Sequence, residues 1–153
     1  MVRTFESDHF GQIHADEQEI LQFPEGLPGF ETLREFTVLQ YPEEPSLFFL
    51  QSLECAELCF LALPVHALRP DYELAIARED LEILSIPAGA PPRDGENVRA
   101  LAVLSLAAGQ EPTANLRAPV VIHDGARRAV QAIRPDTRYS CREPLLTAEC
   151  LCS

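Results

Sequence analysis

Cys55-x-x-x-Cys59 and Cys150-x-Cys152 are the groupings in this sequence whose residue types and spacing come nearest to a metal site. On extended backbone each pair places two sulfurs on one side, and four thiolates would hold zinc tetrahedrally. The spacing departs from the C-x-x-C knuckle of structural zinc sites, and Cys59 opens the apolar run to Leu63, where a small buried hydrophobe is the better reading. With Cys141, the chain has five cysteines, so one stays unpaired in any disulfide scheme. The opening Met1-Val2-Arg3-Thr4-Phe5-Glu6 lacks the basic-then-apolar layout of a secretory signal, so reduced thiols in a cytosolic protein are expected. The expectation is no metal and no cofactor, with a zinc or thiol protein as the alternative.

Other catalytic chemistry is thinly represented. His9, His14, His66 and His123 stand singly; on an extended segment His14 would share a face with Phe10 and Gln12. There is no lysine, hence no G-x-x-x-x-G-K-[ST] phosphate cradle, and neither G-x-G-x-x-G nor G-x-S-x-G occurs. Carboxylates are abundant but isolated or in pairs such as Asp16-Glu17 and Glu43-Glu44, with no D-x-[DN]-x-[DN]-G calcium loop. A sugar site would lack an aromatic platform, since the chain has no Trp and three Tyr, and no polar cluster suggests a small-ligand barrel. These absences argue against an enzyme.

Charge points toward protein partners instead. Asp and Glu number 24 against 12 Arg, a net charge of −12 that opposes direct contact with a nucleic-acid backbone. Residues 1–57 hold twelve of the acids against Arg3 and Arg34, a local balance of −10. Such a surface keeps a protein soluble and also steers a basic partner toward it.

One block combines stiffness with apolar side chains. Phe23-Pro24-Glu25-Gly26-Leu27-Pro28-Gly29-Phe30 sets two prolines, with φ fixed near −65°, among two glycines free to take positive φ. It reads either as a rigid corner buried in the core or as a preformed surface for a partner; on physics alone the buried corner is favoured.

The elements that hold these residues are short. Thirteen prolines and seven glycines cut the 153 residues into segments rich in β-branched and aromatic side chains. Strands are expected over Val2 to Phe5, Phe10 to Ala15, Glu19 to Phe23, Phe36 to Tyr41, Leu47 to Gln51, Cys59 to Leu63, Glu73 to Ala77, Val98 to Leu106, Pro119 to His123 and Arg128 to Arg134. Val98 to Leu106 is apolar almost throughout and would also be acceptable as a helix. Glu79 to Leu84 reads as a short helix with acids in its first turn, Phe30 to Arg34 as a turn, and Pro87 to Glu96 as a loop. No run of apolar residues reaches the length of a membrane span. The expected fold class is mainly β: a small single-domain antiparallel β-barrel-like fold with one or two short helices.

Taken in order, these motifs resemble the flagellar assembly factor FliW family. The resemblance runs from Phe10-Gly11 through Phe23 to Glu31 (FPEGLPGFE), then Phe49-Leu50-Gln51-Ser52, Phe60 to Pro64, Pro70-Asp71-Tyr72-Glu73, and Thr113 to Ile122 (TANLRAPVVI). It covers residues 1–146 as one domain and leaves 147–153 as a tail that reads as disordered; periodicity is already weak from Tyr139. His123 stands where the family usually has Asn, and Gly125 and Gln131 lie farther apart than in the family's G-x-Q strand.

The resemblance implies a cytoplasmic, non-enzymatic protein that binds flagellin and also binds CsrA, a basic RNA-binding translational regulator. Flagellin would capture the protein and leave CsrA free to repress flagellin messenger RNA; released from flagellin, the protein would antagonise CsrA allosterically. The implied protein is a monomer when free and touches neither nucleic acid nor membrane. Contacts are expected at the corner (Glu25, Leu27, Glu31) and at Leu50-Gln51-Ser52 with Asn115 nearby in the sheet. Phe23, Pro24, Gly26, Pro28, Gly29, Phe30 and Pro119 are expected to form the structural motif.

Overall fold

The computed structural model describes residues 1–87 and 89–145. An amino-terminal hairpin, β1 (Val2–Ser7) and β2 (Gly11–Asp16), forms a two-stranded sheet of its own. The other strands are β3 (Ile20–Gln22), β4 (Glu35–Tyr41), β5 (Glu44–Ser52), β6 (Cys59–Pro64), β7 (Arg99–Ser105), β8 (Thr113–Ala114), β9 (Val120–His123), β10 (Arg128–Gln131) and β11 (Glu143–Pro144). Hydrogen bonding runs β11-β8-β7-β6-β5-β4-β3-β10-β9, and β9 pairs back onto β7, so seven strands close into a barrel. Closure leaves those seven strands without the open edge that a small β domain must otherwise protect, while β11 stays at the end of the branch from β7 through β8. All pairings are antiparallel except β10 with β3, which meet in parallel through Arg128 and Gln22. The helices are α1 (Val65–Leu68) and α2 (Arg78–Ile83). No helix among the described residues is long and apolar enough to cross a membrane.

Two apolar clusters share the sheet. Leu21, Phe23, Leu27, Phe36, Leu50, Leu101, Val120 and Ile122 fill the barrel. On the outer face of β7, β9 and β10, Ala100, Ala102, Val121 and Val130 pack under Val65, Tyr72, Leu84, Ile86 and Tyr139. These strands are therefore covered on both faces, which is why the run from Ala100 to Leu104 is apolar throughout yet extended. Alternation shows instead where one face meets water, as in β1.

The covering layer explains a departure from the expected strands. Glu73 to Ala77 is irregular backbone rather than a strand. Leu74 and Ile76 pack on the outer cluster, which accounts for the apolar residues there. The segment lies across the sheet's face, where it has no ladder to join. Tyr139 is likewise part of the core, and Glu143–Pro144 pairs with β8, so order extends past the point where periodicity fades. The expected tail at 147–153 lies outside the described residues.

The layer is pinned by Arg134, only 4% exposed. Its guanidinium lies 5.3 Å from the Tyr72 ring centre and 4.7 Å from that of Tyr139. It donates to both oxygens of Asp136, at 2.9 and 3.1 Å, and to the Glu73 carbonyl. The Tyr72 hydroxyl donates to the Leu116 carbonyl at 2.7 Å, and the Glu73 amide donates to the Tyr139 hydroxyl at 3.1 Å.

Candidate functional site

The proline-glycine block is half core and half surface. Phe23 is fully buried, edge-on to Phe36 with ring centres 4.9 Å apart, and Leu27 is 4% exposed. Between them Gly26 turns with φ +64°, its amide donating to the Phe23 carbonyl at 2.8 Å. The chain then returns through Pro28 and Gly29, and the Phe30 amide donates to the Leu27 carbonyl at 2.7 Å. Pro28, Gly29 and Phe30 are exposed, although Phe30 leans on Phe60 with ring centres 5.8 Å apart. The favoured buried corner and the alternative surface thus coexist, one on each side of the turn.

The exposed side opens onto a shallow hollow of about 340 Å³ walled by Glu25, Pro28, Glu31, Asp80 and Ile133. Ile133 is 58% exposed. Glu31 is partly committed to the turn, since its carboxylate accepts from the Gly29 amide at 2.6 Å. Asp80, on α2, has its carboxyl pushed above the usual range by burial, then by repulsion from Glu25 and Glu79. Asp80 and Ile133 enter this face from sequence positions far from the corner, which is why sequence reasoning missed them.

The direction of the Asp80 shift sets a test. A raised carboxyl favours the protonated folded state, so its stabilising effect is complete below the ordinary Asp value and disappears as pH rises through the raised one. At neutral pH the charged Asp80 opposes folding. Asp80→Asn is expected to raise Tm at neutral pH and leave it nearly unchanged at acidic pH, as read by thermal melts across the range. A Tm that falls equally at both pH values would contradict this.

The second expected contact group is corrected by burial. Leu50 and Gln51 are fully buried and Ser52 is 1% exposed, so none presents a surface to a partner. Leu50 points into the barrel. Gln51, on the opposite face of β5, lies beneath the β1–β2 hairpin. Its Oε1 accepts from the Ser7 hydroxyl at 2.7 Å, and its Nε2 donates to the carbonyls of Ser52 (3.0 Å) and Leu58 (3.1 Å). The Ser52 hydroxyl accepts from the Glu54 and Cys55 amides at 3.1 and 3.0 Å. These residues fasten the hairpin and a loop to the barrel. Leu27 is corrected in the same way, as a core side chain. Asn115 is not beside them: it follows β8, separated from β5 by β7 and β6, and accepts from the Ala118 amide at 2.9 Å. Pro119 is buried, and its carbonyl accepts from the Ala132 amide at 2.9 Å.

The metal alternative finds no support among the described residues. No group of three or more His, Cys, Asp or Glu is placed to hold an ion there. Burial pushes the Cys59 thiol up to about 11, away from the thiolate that zinc requires. Cys150 and Cys152 lie outside the described residues. His14 faces Thr4 across the hairpin, at 3.0 Å from its hydroxyl. Phe10 falls in the turn before β2 and packs on Tyr41 and Phe49, so it does not share the His14 face. Gly125 lies in a single turn of 3-10 helix over Asp124–Ala126, and the left-handed position that follows is taken by Arg127, φ +54°.

Comparison with known proteins agrees with this architecture. The family described as FliW protein matches residues 4–145. The flagellar assembly factor FliW of Bdellovibrio bacteriovorus is 32% identical over 144 residues, covering 92% of this chain and 78% of that protein. That of Shouchella clausii is 32% identical over 147 residues, covering 94% of each. A crystal structure of the flagellar assembly factor FliW superimposes with a TM-score of 0.81 at 28% identity, covering 96% of this chain and 99% of the other. The chain belongs to the FliW family of flagellar assembly factors.

Proposed function

We propose that this protein is a non-enzymatic partner switch of the cytoplasm, a monomer when free. It binds flagellin; when no flagellin is bound, it binds CsrA and antagonises it allosterically, relieving repression of flagellin messenger RNA translation. Family membership supports the flagellar role, and the observation that carries the CsrA half is the corner face. There Glu25, Glu31 and Asp80 surround the exposed Ile133 with Phe30 nearby, on a chain of net charge −12.

The chemistry suits a basic client. Apolar anchors such as Ile133 supply affinity once water is excluded, while the carboxylates set approach rate and orientation. A basic partner also offsets the repulsion of Asp80 by Glu25 and Glu79. An acidic protein seated beside an RNA-binding surface lowers affinity for phosphate by like-charge repulsion without touching the RNA. Coupling of about 1 to 3 kcal/mol corresponds to a roughly five- to 150-fold change in RNA affinity.

Titration of the purified protein with CsrA and with flagellin tests the reading. Glu25→Lys is the informative variant, because Glu25 is exposed and, unlike Glu31, does not brace the turn. Its association rate with CsrA is expected to fall severalfold and its flagellin affinity to change little. Wild-type association with CsrA should slow with added salt, since charges are screened beyond about 8 Å at physiological ionic strength. Equal loss for both partners, or no complex with either, would overturn the reading.

A further inference from the structure

The strongest feature not absorbed by this reading is a cationic cleft on an acidic protein. It measures about 510 Å³, and its walls include Arg3, Arg34, Arg127 and Arg128 with Glu17 and Glu35. Four elements supply the arginines: β1, the segment entering β4, the turn after β9, and β10. Local sequence does not gather them; barrel closure does. Arg128 pairs with Gln22 and Gln22 pairs with Glu35, so these three form one row across β10, β3 and β4.

The charges in the cleft are only partly answered. Arg3 reaches Glu35 at 3.4 Å. Arg127 donates to the Glu17 carbonyl at 2.8 Å and Arg128 to the Ile83 carbonyl at 3.3 Å, neither of which carries charge. Arg34 gives its backbone amide to Glu54 at 2.6 Å, while its side chain is exposed. Among the described residues, Arg34, Arg127 and Arg128 have no carboxylate within 4.0 Å. Arg78, Arg117 and Arg142 also lack such a partner among the described residues, but Arg34, Arg127 and Arg128 converge on one cleft, and that convergence is what suits an anion. Arg127 also occupies the left-handed region, φ +54°, which costs a side chain more than a glycine.

We infer that this cleft binds an acidic segment of a protein partner, with carboxylates held by the forks of Arg34, Arg127 and Arg128. Planar guanidinium groups match carboxylates two bonds at a time. A nucleic-acid backbone fits less well, because the adjoining hollow, which shares Glu17 and Arg127, is walled by Asp16 and Asp124. A continuous phosphate chain leaving the cleft on that side meets carboxylates, whereas isolated acidic side chains need not. The inference stands apart from the corner face and does not depend on it.

The test follows the arginine Nε–H resonances while the full chain is titrated with a Glu-Gly-Ser repeat peptide. Saturable shifts at Arg34, Arg127 and Arg128 are expected, with little change at the exposed Arg117 and Arg142, and none with a Gln-Gly-Ser repeat. Combined Arg34→Gln and Arg128→Gln should weaken the peptide about tenfold or more, as expected when charge-assisted hydrogen bonds are lost. Arg127→Gly controls for folding: the relieved left-handed backbone offsets the lost bond to the Glu17 carbonyl, so Tm should change little while binding weakens severalfold. The inference fails if shifts are absent or spread evenly over all arginines, if both sets of variants bind like wild type, or if a single-stranded RNA oligonucleotide binds the cleft more tightly than the peptide.

Discussion

Gly26→Ala should unfold a large fraction of the protein, or lower its stability by about 3 kcal/mol or more, while Gly29→Ala costs only about 1 kcal/mol. Both glycines have positive φ, at +64° and +86°. They differ in what a methyl group would meet. At Gly26 it would lie 2.6 Å from the Glu31 Cα and 2.7 Å from the Phe30 carbonyl oxygen, both backbone atoms that cannot swing aside. At Gly29 it would meet open space. The loss at Gly26 is large beside a typical domain stability of about 5 to 15 kcal/mol. It also acts where function is proposed, since prising Phe30 and Glu31 from Gly26 splays the exposed side of the corner. Urea denaturation of the two variants checks the difference; equal effects would show that the close approach does not hold the corner.

Replacing Arg134 by Met should cost about 2 to 4 kcal/mol even though the aliphatic volume is largely kept. The buried guanidinium is the hub of the covering layer, lying over Tyr72 and Tyr139 and bonded to Asp136 and the Glu73 carbonyl. Its removal leaves that carbonyl without its donor and takes away two cation–π contacts. Lysine is not a conservative replacement, because a single ammonium cannot serve the fork and both rings. Since the chain has three Tyr and no Trp, the near-ultraviolet circular dichroism of Tyr72 and Tyr139 reports the loss locally. The variant also tests a pH signature. The Arg134 hydrogen bond holds the Asp136 carboxyl below its ordinary range. Its stabilising effect is present above the ordinary Asp value and disappears as pH falls through the lowered one. Arg134→Met should remove that part of the acid sensitivity; an unchanged acid profile would count against the ion pair.

Legibility from sequence followed the range of the interactions. Local chemistry was readable: the turn residues of the corner, the acids in the first turn of α2, and the β-rich segments that became β4, β5, β6 and β9. Glu73 to Ala77 has the composition of a strand, with Leu74 and Ile76 packed on the outer cluster, but composition does not show whether a backbone finds a ladder. Leu50, Gln51 and Ser52 belong to a segment that carries the family resemblance, and a matched segment does not distinguish a contact from a buried frame. The hairpin folding over β5 covers Gln51 together with the loop before β6, the hairpin through a bond to Ser7, 44 positions away. The cationic cleft was invisible for the same reason. Arg3 and Arg34 lie within the most acidic stretch of the sequence, and only barrel closure sets them beside Arg127 and Arg128.

The central proposal is that occupation by one client releases the other. The direct measurement starts from a preformed complex of this protein with fluorescent CsrA and adds increasing flagellin monomer while CsrA release and binding to a flagellin messenger RNA leader are followed together. The account predicts that flagellin frees CsrA in a dose-dependent, saturable manner and restores its RNA binding in parallel. A complex that persists intact at flagellin concentrations sufficient to saturate the free protein would contradict it.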